Sequence, residues 1–392
     1  MSDNTHLKSA IMGESETALA RRPDPANSRL RLLPVPDKSV SQFVQCQLKL
    51  RLTKAQEREL ETWIYHLTSV WNWAIRKIEL NAKDRVYFSA RDFNNLLAGH
   101  SVKLGVPSHV IQGVLSTAYE SWSRCFKRLA GKPRLKGQRR PLSSIPFPDP
   151  FLAPKGSRIY VPAFGSVRFH KMDLPAGRIK RGRICKRASG WYLCLIIEGQ
   201  PKPIERTASG IIGIDPGFGN LLTTSDGEVI EHPRELEAGA TRLAQAHRGR
   251  NKRLSARIQE RIRNKRKDRN HKLSRRLVAE NVTIVFSSDN IKGIAKRFGK
   301  SVASSGHAQL RRMLTYKSLI GGTEYIEVDS KGSTMTCSNC GAQSGPTGLS
   351  GLAVRQWRCA CGAQHDRDVN AAINTLLAGA GSAHERSLAH AR

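Results

Sequence analysis

The sequence predicts a multidomain α/β protein. A small antiparallel sheet or β-barrel with a helical insertion comes first, and an α/β layer domain carrying a four-cysteine zinc ribbon follows. Three observations predict it. Gln42–Leu52 alternates apolar and polar side chains, as a half-buried strand does, and helical and then short-strand patterns follow it. Ile211-Ile-Gly-Ile-Asp215-Pro-Gly is a buried apolar run closed by a carboxylate and a tight turn, and it opens a β-β-β-α-β-α-β order. Cys337-x-x-Cys340 and Cys359-x-Cys361 are two close thiolate pairs, each able to grip a metal from one knuckle.

Residues 1–40 are rich in Ser, Pro, Asp and Arg without a sustained period and are expected to be a disordered tail. The first domain is expected over 41–205, with its helical insertion at about 53–140. Thr53-Lys-Ala-Gln56 reads as a capping box. The helix after it places Leu60, Ile64, Leu67, Val70, Trp71, Ala74 and Ile78 at helical spacing. Trp63, Tyr65, Trp71 and Trp73 crowd this helix; their spacing favours a core role over stacking on bases. A second helix begins near Pro107, carries Val110, Val114, Ala118, Trp122 and Phe126, and runs into Gly131-Lys-Pro-Arg-Leu-Lys-Gly-Gln-Arg-Arg140. That basic loop suits phosphates or is a solvated linker. Ser157–Val161, Gly165–Phe169, Gly182–Lys186 and Trp191–Glu198 are the remaining strand candidates.

The second domain is expected over 206–392, with its ribbon at about 333–365. Leu221–Ser225 and Glu228–Glu231 form a hairpin around Asp226-Gly227. His247–Leu277 reads as a long basic helix with Leu254, Ile258 and Ile262 on one packed face. Thr283–Phe286 and Glu324–Val328 are strands with a helix near His307–Tyr316 between them, and a last helix starts near Val369.

The chain has 392 residues and a formal net charge of +33. Such an excess calls for a polyanionic partner, nucleic acid first, and otherwise fits a solvated basic protein of ribosomal type. No apolar run approaches a membrane-spanning length, and no basic segment leads into an apolar signal core. Of eight cysteines four cluster; Cys46, Cys125, Cys185 and Cys194 read as core thiols, which points to a reducing, cytosolic compartment.

Asp215 is expected at the end of the first strand of the second domain and Asp368 at the start of its last helix. In an RNase H-like sheet these places converge, and acidic groups there hold two magnesium ions for phosphodiester hydrolysis. Singly, each has an ordinary explanation, since Asp-Pro-Gly is a common turn and Asp a common helix cap. Four thiolates leave no open coordination position, so zinc on Cys337, Cys340, Cys359 and Cys361 is expected to be structural.

The motifs Gly-Ile-Asp215-Pro-Gly, Asn290-Ile-Lys-Gly293, Arg312-Met-Leu-Thr-Tyr-Lys317, Cys337-Ser-Asn-Cys340-Gly and His-Asp-Arg-Asp368-Val-Asn-Ala-Ala-Ile-Asn374 make the segment from Gly210 to Leu377 resemble TnpB, the transposon-encoded RNA-guided nuclease related to type V CRISPR effectors. The first half fits through its opening strand and Lys132-Pro-Arg-Leu-Lys136. The resemblance implies an N-terminal β-barrel wedge domain with a helical insertion and a RuvC-like nuclease domain with an inserted zinc ribbon. It implies a guide RNA from the element's own end and a double-stranded DNA target read by pairing beside a short flanking motif. A prokaryotic cytosol, at the nucleoid, would be the place of work.

Two departures stand out. The family's middle catalytic glutamate falls at Ser287, which cannot supply its charge. Either Glu327 on the next strand replaces it, or Asp289 does, or the chain binds DNA without cutting. Cys359-x-Cys361 has one spacer residue where two are commoner. The expected activity is a magnesium-dependent, RNA-guided DNA endonuclease with Asp215, Asp368 and Glu327 at its centre; the alternative is a nuclease-dead, RNA-guided repressor. A strand-transferring transposase is disfavoured, because the chain has no His-x-His pair.

Overall fold

The computed structural model describes residues 30–32, 43–217, 219–232, 234–288, 305–329, 331–348 and 350–390. The chain forms two compact units, one made of 37–202 and 242–261, the other of the remainder. The first strand, β1 (Leu30–Leu32), belongs to the second unit. It lies inside the stretch expected to be a tail, and is a correction to that expectation.

The first unit holds β2 (Phe43–Arg51), α1 (Lys54–Lys83), α2 (Ala90–Asn95), α3 (His100–Leu104), α4 (Ser108–Phe126), β3 (Ser144–Phe147), β4 (Arg158–Val161), β5 (Gly165–Phe169), β6 (Arg178–Arg187) and β7 (Gly190–Glu198). Its six strands form an antiparallel sheet in the order β3-β6-β7-β2-β5-β4. β2 pairs with β7 from Phe43 to Lys49 and gives its last two residues, Leu50 and Arg51, to β5. The alternation read in the sequence is what buries Cys46, Leu48 and Leu50. Thr53 and Gln56 close the capping box of α1. Trp63 and Trp71 are buried, and Trp73 stacks on Phe93, with ring centroids 5.9 Å apart; Tyr65 alone of the four aromatics is exposed. The basic loop is no free linker. Asn72 donates to Lys136 O and accepts from Lys136 N, both at 2.8 Å, and the Trp71 indole donates to Arg134 O. β3 had no sequence signal, because Ser-Ile-Pro-Phe is too short to show a period.

The second unit adds β8 (Gly210–Pro216), β9 (Asn220–Thr224), β10 (Val229–Glu231), α5 (Glu235–Arg248), α6 (Lys252–Glu280), β11 (Asn281–Ser288), α7 (His307–Gly321), β12 (Glu324–Asp329), β13 (Gln356–Arg358), β14 (Gln364–Asp366) and α8 (Arg367–His390). Parts of α5 and α6 count with the first unit. The sheet order is β1-β12-β11-β8-β9-β10. β8, β11 and β12 are parallel; β9 and β10 continue antiparallel from β8, and β1 covers the far edge antiparallel to β12.

The two faces of this sheet are covered differently. Ile212, Ile214, Ile284, Phe286 and Tyr325 pack with Leu273 and Leu277 of α6 and Leu310 and Leu314 of α7. Val285, Ile326 and Val328 face the other way, toward Leu376 of α8. α8 lies close on β8: a Cβ on Gly213 would stand 2.3 Å from Ala372 O, so this position admits only glycine. Arg206 fastens the sheet edge by donating to Asn281 O, Gly321 O and Gly322 O. Among the described residues no helix is long and apolar enough to cross a membrane.

Candidate functional site

Asp215 is the last residue but one of β8 and is half-buried. Its strand is the central one, held between β11 and β9, and the chain turns away at once through Pro216 and Gly217. Asp368 stands in the first turn of α8, on the face that backs onto Gly213 of β8. The capping task falls to Asp366, whose Oδ1 accepts from the N–H groups of Asp368 and Val369, both at 3.0 Å. Asp368 is therefore not accounted for as a cap. Its Oδ2 instead meets Arg355 Nη1 at 3.0 Å. The same guanidinium reaches the β8–β9 turn, where a Cβ on Gly219 would stand 3.3 Å from Arg355 Nη2. Arg355 thus stands beside the turn that follows Asp215 while it is ion-paired with the carboxylate of Asp368. Sequence reasoning missed it, because its place between the two cysteine pairs gave it no pattern.

Glu327 does not join them, which corrects the expectation. Phe286 is the lateral neighbour of both Ile214 and Glu327, and side chains beside one another in a sheet share a face. Ile214, Phe286 and Glu327 therefore look toward α6 and α7, while Asp215, Ser287 and Val328 look toward α8. The partners of Glu327 agree: its Oε1 lies 3.6 Å from Arg311 Nε on α7 and accepts from the Tyr325 hydroxyl at 3.2 Å. Ser287 is fully buried on the Asp215 side, and its hydroxyl has no hydrogen-bond partner among the described residues. Asp289 and the Asn290–Gly293 motif lie outside the described residues.

The four cysteines do come together. Their sulfurs all lie within 4.8 Å of one another, the only such group of potential metal ligands among the described residues. Cys337 and Cys361 are 3.8 Å apart, Cys340 and Cys359 3.6 Å. Tetrahedral zinc with bonds near 2.3 Å needs sulfur separations of about 3.8 Å, so the cluster fits a structural zinc site. Each knuckle turns at a glycine with positive φ, Gly341 at 78° and Gly362 at 91°. Cys359 N donates to Ala363 O and Gly362 N to Cys359 O, which closes the second knuckle despite its single spacer. The Cys361 N–H and the Ser344 hydroxyl lower the Cys359 thiol, whereas Cys340, though lowered by the Ala342 N–H, is raised on balance by its three neighbouring thiols.

Two further features link the ribbon to α8. His365 Nε2 lies 3.0 Å from Cys337 Sγ, with its ring against Trp357. Asn370 accepts from Ser338 N and donates to Thr336 O, and Asn374 donates to Ser333 O and Thr336 O. The Asn residues of the Val-Asn-Ala-Ala-Ile-Asn run are thus the pegs that hold the first knuckle on the helix bearing Asp368.

The class that fold and site define is a mixed α/β protein with a four-cysteine ribbon mounted on its sheet domain. Residues 307–375 match the family model described as Cas12f1-like, TNB domain. Over 208 residues the chain is 36% identical to a putative RNA-guided DNA endonuclease of Streptomyces pristinaespiralis, covering 49% of this chain and 51% of that protein. It is 25% identical over 304 residues to InsQ of Escherichia coli K12, described as a putative RNA-guided DNA endonuclease, covering 70% and 75%. The chain thus spans about half the length of the first of these relatives and three quarters of the second. A Cas12f1 chain solved by cryo-EM with sgRNA and target DNA superposes with a TM-score of 0.51 at 13% identity, over 81% of this chain and 82% of that one, a likeness of fold. The chain is similar to RNA-guided DNA endonucleases and TnpB-like proteins.

Proposed function

We propose that this protein is an RNA-guided DNA endonuclease of a transposable element, with Asp215 and Asp368 at its catalytic centre. The observation that carries the reading is the approach of β8 and α8 on one face of the sheet, with Arg355 reaching from Asp368 to the turn beyond Asp215. Support comes from the strand order: a three-strand meander and then two parallel strands, each after a helix, suit an RNase H-like (RuvC) domain. The curled antiparallel sheet suits a wedge barrel. Two carboxylates on one face are hard oxygen donors of the kind magnesium takes. Without a third acid at position 287 the set suits one ion better than two. Magnesium, when bound, would polarise the phosphate and activate water. Asp215 and Asp368 would hold the ion, and Arg355 would have to exchange Asp368 for another anion as it entered. The four thiolates would hold zinc and keep α8 in place through Asn370 and Asn374.

A second reading, an RNA-guided DNA-binding protein that does not cut, is favoured by the pairing of Ser287 on the Asp215 side with Glu327 on the opposite one. One experiment separates the two. RNA that co-purifies with the protein is sequenced, and DNA matched to it is incubated with magnesium. Cleavage that vanishes in Asp215→Ala and Asp368→Ala, with binding retained, supports the nuclease. Binding without cleavage by the unmodified protein selects the second reading.

A further inference from the structure

Two of the cysteines outside the ribbon form a pair. Cys185 stands on β6 and Cys194 on β7, and the register sets Cys185 beside Tyr192 and Arg183 beside Cys194. Lateral neighbours share a face, so the two cysteines are diagonal neighbours on one side of the sheet. Their sulfurs are 3.9 Å apart. That side is not the core. Ile184, Leu193 and Leu195 point the other way and are fully buried. Cys185 and Cys194 are only half-buried, on the face that carries the exposed Arg183 and Arg187. The expectation of core thiols therefore suits the buried Cys46 and is corrected for this pair.

The sheet holds the two sulfurs in place. β6 and β7 are interior strands, each hydrogen-bonded on both sides. Two thiolates on one tetrahedral metal stand about 3.8 Å apart, so both sulfurs can reach a single ion with little movement. Zinc would need further ligands. Among the described residues the ribbon is the only cluster of three or more potential ligands, so no third His, Cys, Asp or Glu joins this pair. Hard cations take carboxylate and carbonyl oxygens. Two sulfurs alone suit a soft ion of low coordination number, copper(I) above all. A copper(I) bis-thiolate carries a single negative charge, and the guanidiniums of Arg183 and Arg187, whose fields act on Cys185, would balance it. In the metal-free protein the hydrogen bond with Cys194, and then burial, hold the Cys185 thiol well above its ordinary range. A thiol kept protonated is a poor nucleophile toward an oxidant, which favours exchange of protons for a metal over disulfide formation.

We propose that Cys185 and Cys194 form a binding site for one soft, thiophilic monovalent cation, copper(I), held by the two sulfurs alone. Binding exchanges protons for the ion: two thiols and one copper(I) give the bis-thiolate and two released protons. The inference does not depend on whether the protein cuts DNA.

Full-length protein, with its zinc and any nucleic acid it carries, is reduced under argon. Copper(I) is added as its coloured complex with bicinchoninate, and loss of colour reports transfer to the protein. The ribbon thiolates can also take copper(I), so zinc release is followed at each addition. The first equivalent should transfer without release of zinc. Cys185→Ser and Cys194→Ser should each weaken that step more than about 100-fold, beyond what losing an outer hydrogen-bond partner costs, and should keep their zinc. A second measurement needs no variant. N-ethylmaleimide labelling of the unmodified protein, read by mass spectrometry, should slow about tenfold or more at Cys185 and Cys194 once one equivalent of copper(I) is present, because a metal-bound sulfur is no longer a free thiolate. Labelling of Cys125 should not change. Copper uptake that both Ser variants match, uptake accompanied from the start by zinc release, or equal labelling of the pair with and without copper(I) would each overturn the proposal.

Discussion

Glu327 and Asp215 differ by one position in strand register, and that decides what each can do. Glu327 faces Arg311 and Tyr325, with a side chain only 12% exposed, so its charge is already matched within the α7 side of the sheet. Glu327→Ala should cost about 1 kcal/mol of stability through the lost hydrogen bond and ion pair and leave cleavage of matched DNA at the wild-type rate. A cleavage assay beside a urea titration checks both, and loss of cutting without loss of stability would restore Glu327 to the site. His307 carries a second prediction at this scale. It is buried, its Nε2 donates to Leu221 O at 2.9 Å, and desolvation, with His232 and Arg269 nearby, pushes its pKa from 6.5 to about 4. Between those values the unfolded chain takes up a proton that the folded chain refuses, so stability falls as pH drops from 6.5 toward 4. The loss attributable to this group reaches about 3 kcal/mol. His307→Gln, which keeps a donor for Leu221 O, should show a flatter dependence of urea midpoint on pH between 7 and 5; an unchanged slope would assign the dependence to other groups.

At the scale of elements, the ribbon and α8 act as one piece. Asn370 and Asn374 peg the first knuckle to the helix whose first turn holds Asp368, and Arg355, carried between the two knuckles, reaches Asp368 directly. Cys340→Ser should therefore lower zinc content well below one per chain and reduce cleavage at least tenfold although every acid is intact, because a displaced ligand of about 1 Å is enough for such a loss. Elemental analysis with a cleavage assay tests it, and full activity in a zinc-depleted variant would show that the ribbon does not position the site. The elements also show what was legible in the sequence. The helices α1 and α4 and the strand β8 could be read from their periods, and the four cysteines from their spacing; in α6 the packed face is not the expected one, since Leu254 is exposed and Leu273 and Leu277 pack instead. β1 and β3 could not, since three or four residues carry no period and their pairing is fixed by edges of the sheet far away in sequence. The face of Glu327 was hidden for a related reason: the strand was visible, but its register against β11 is set by packing of Tyr325 and Phe286 with α6 and α7, and a one-residue slip reverses every side chain. Asn370 and Asn374 stand in a recognisable motif, yet their work as pegs depends on where the ribbon lies.

At the scale of the whole chain, the net charge of +33 outweighs any local pairing. Among the described residues many of the ion pairs are surface contacts, such as Lys272 with Asp268 and Arg276 with Glu228, each of small worth. They do not offset the net charge, and cations are dense along α6, where Arg261-Ile-Arg-Asn-Lys-Arg-Lys267 carries five of them. Like charges at this density repel over distances comparable to the Debye length, about 10 Å at 0.1 M salt, and a phosphate backbone relieves the repulsion. Protein stripped of nucleic acid by nuclease treatment and high salt should therefore melt several degrees lower when returned to 50 mM salt, and should aggregate there. Its melting temperature should rise again with added salt, whereas the nucleic-acid-bound form should be far less sensitive. Thermal melts of both forms across 50 to 500 mM salt decide the matter: parallel curves would mean that the charge is accommodated within the fold, and that the bound strand is cargo with no part in holding the protein together.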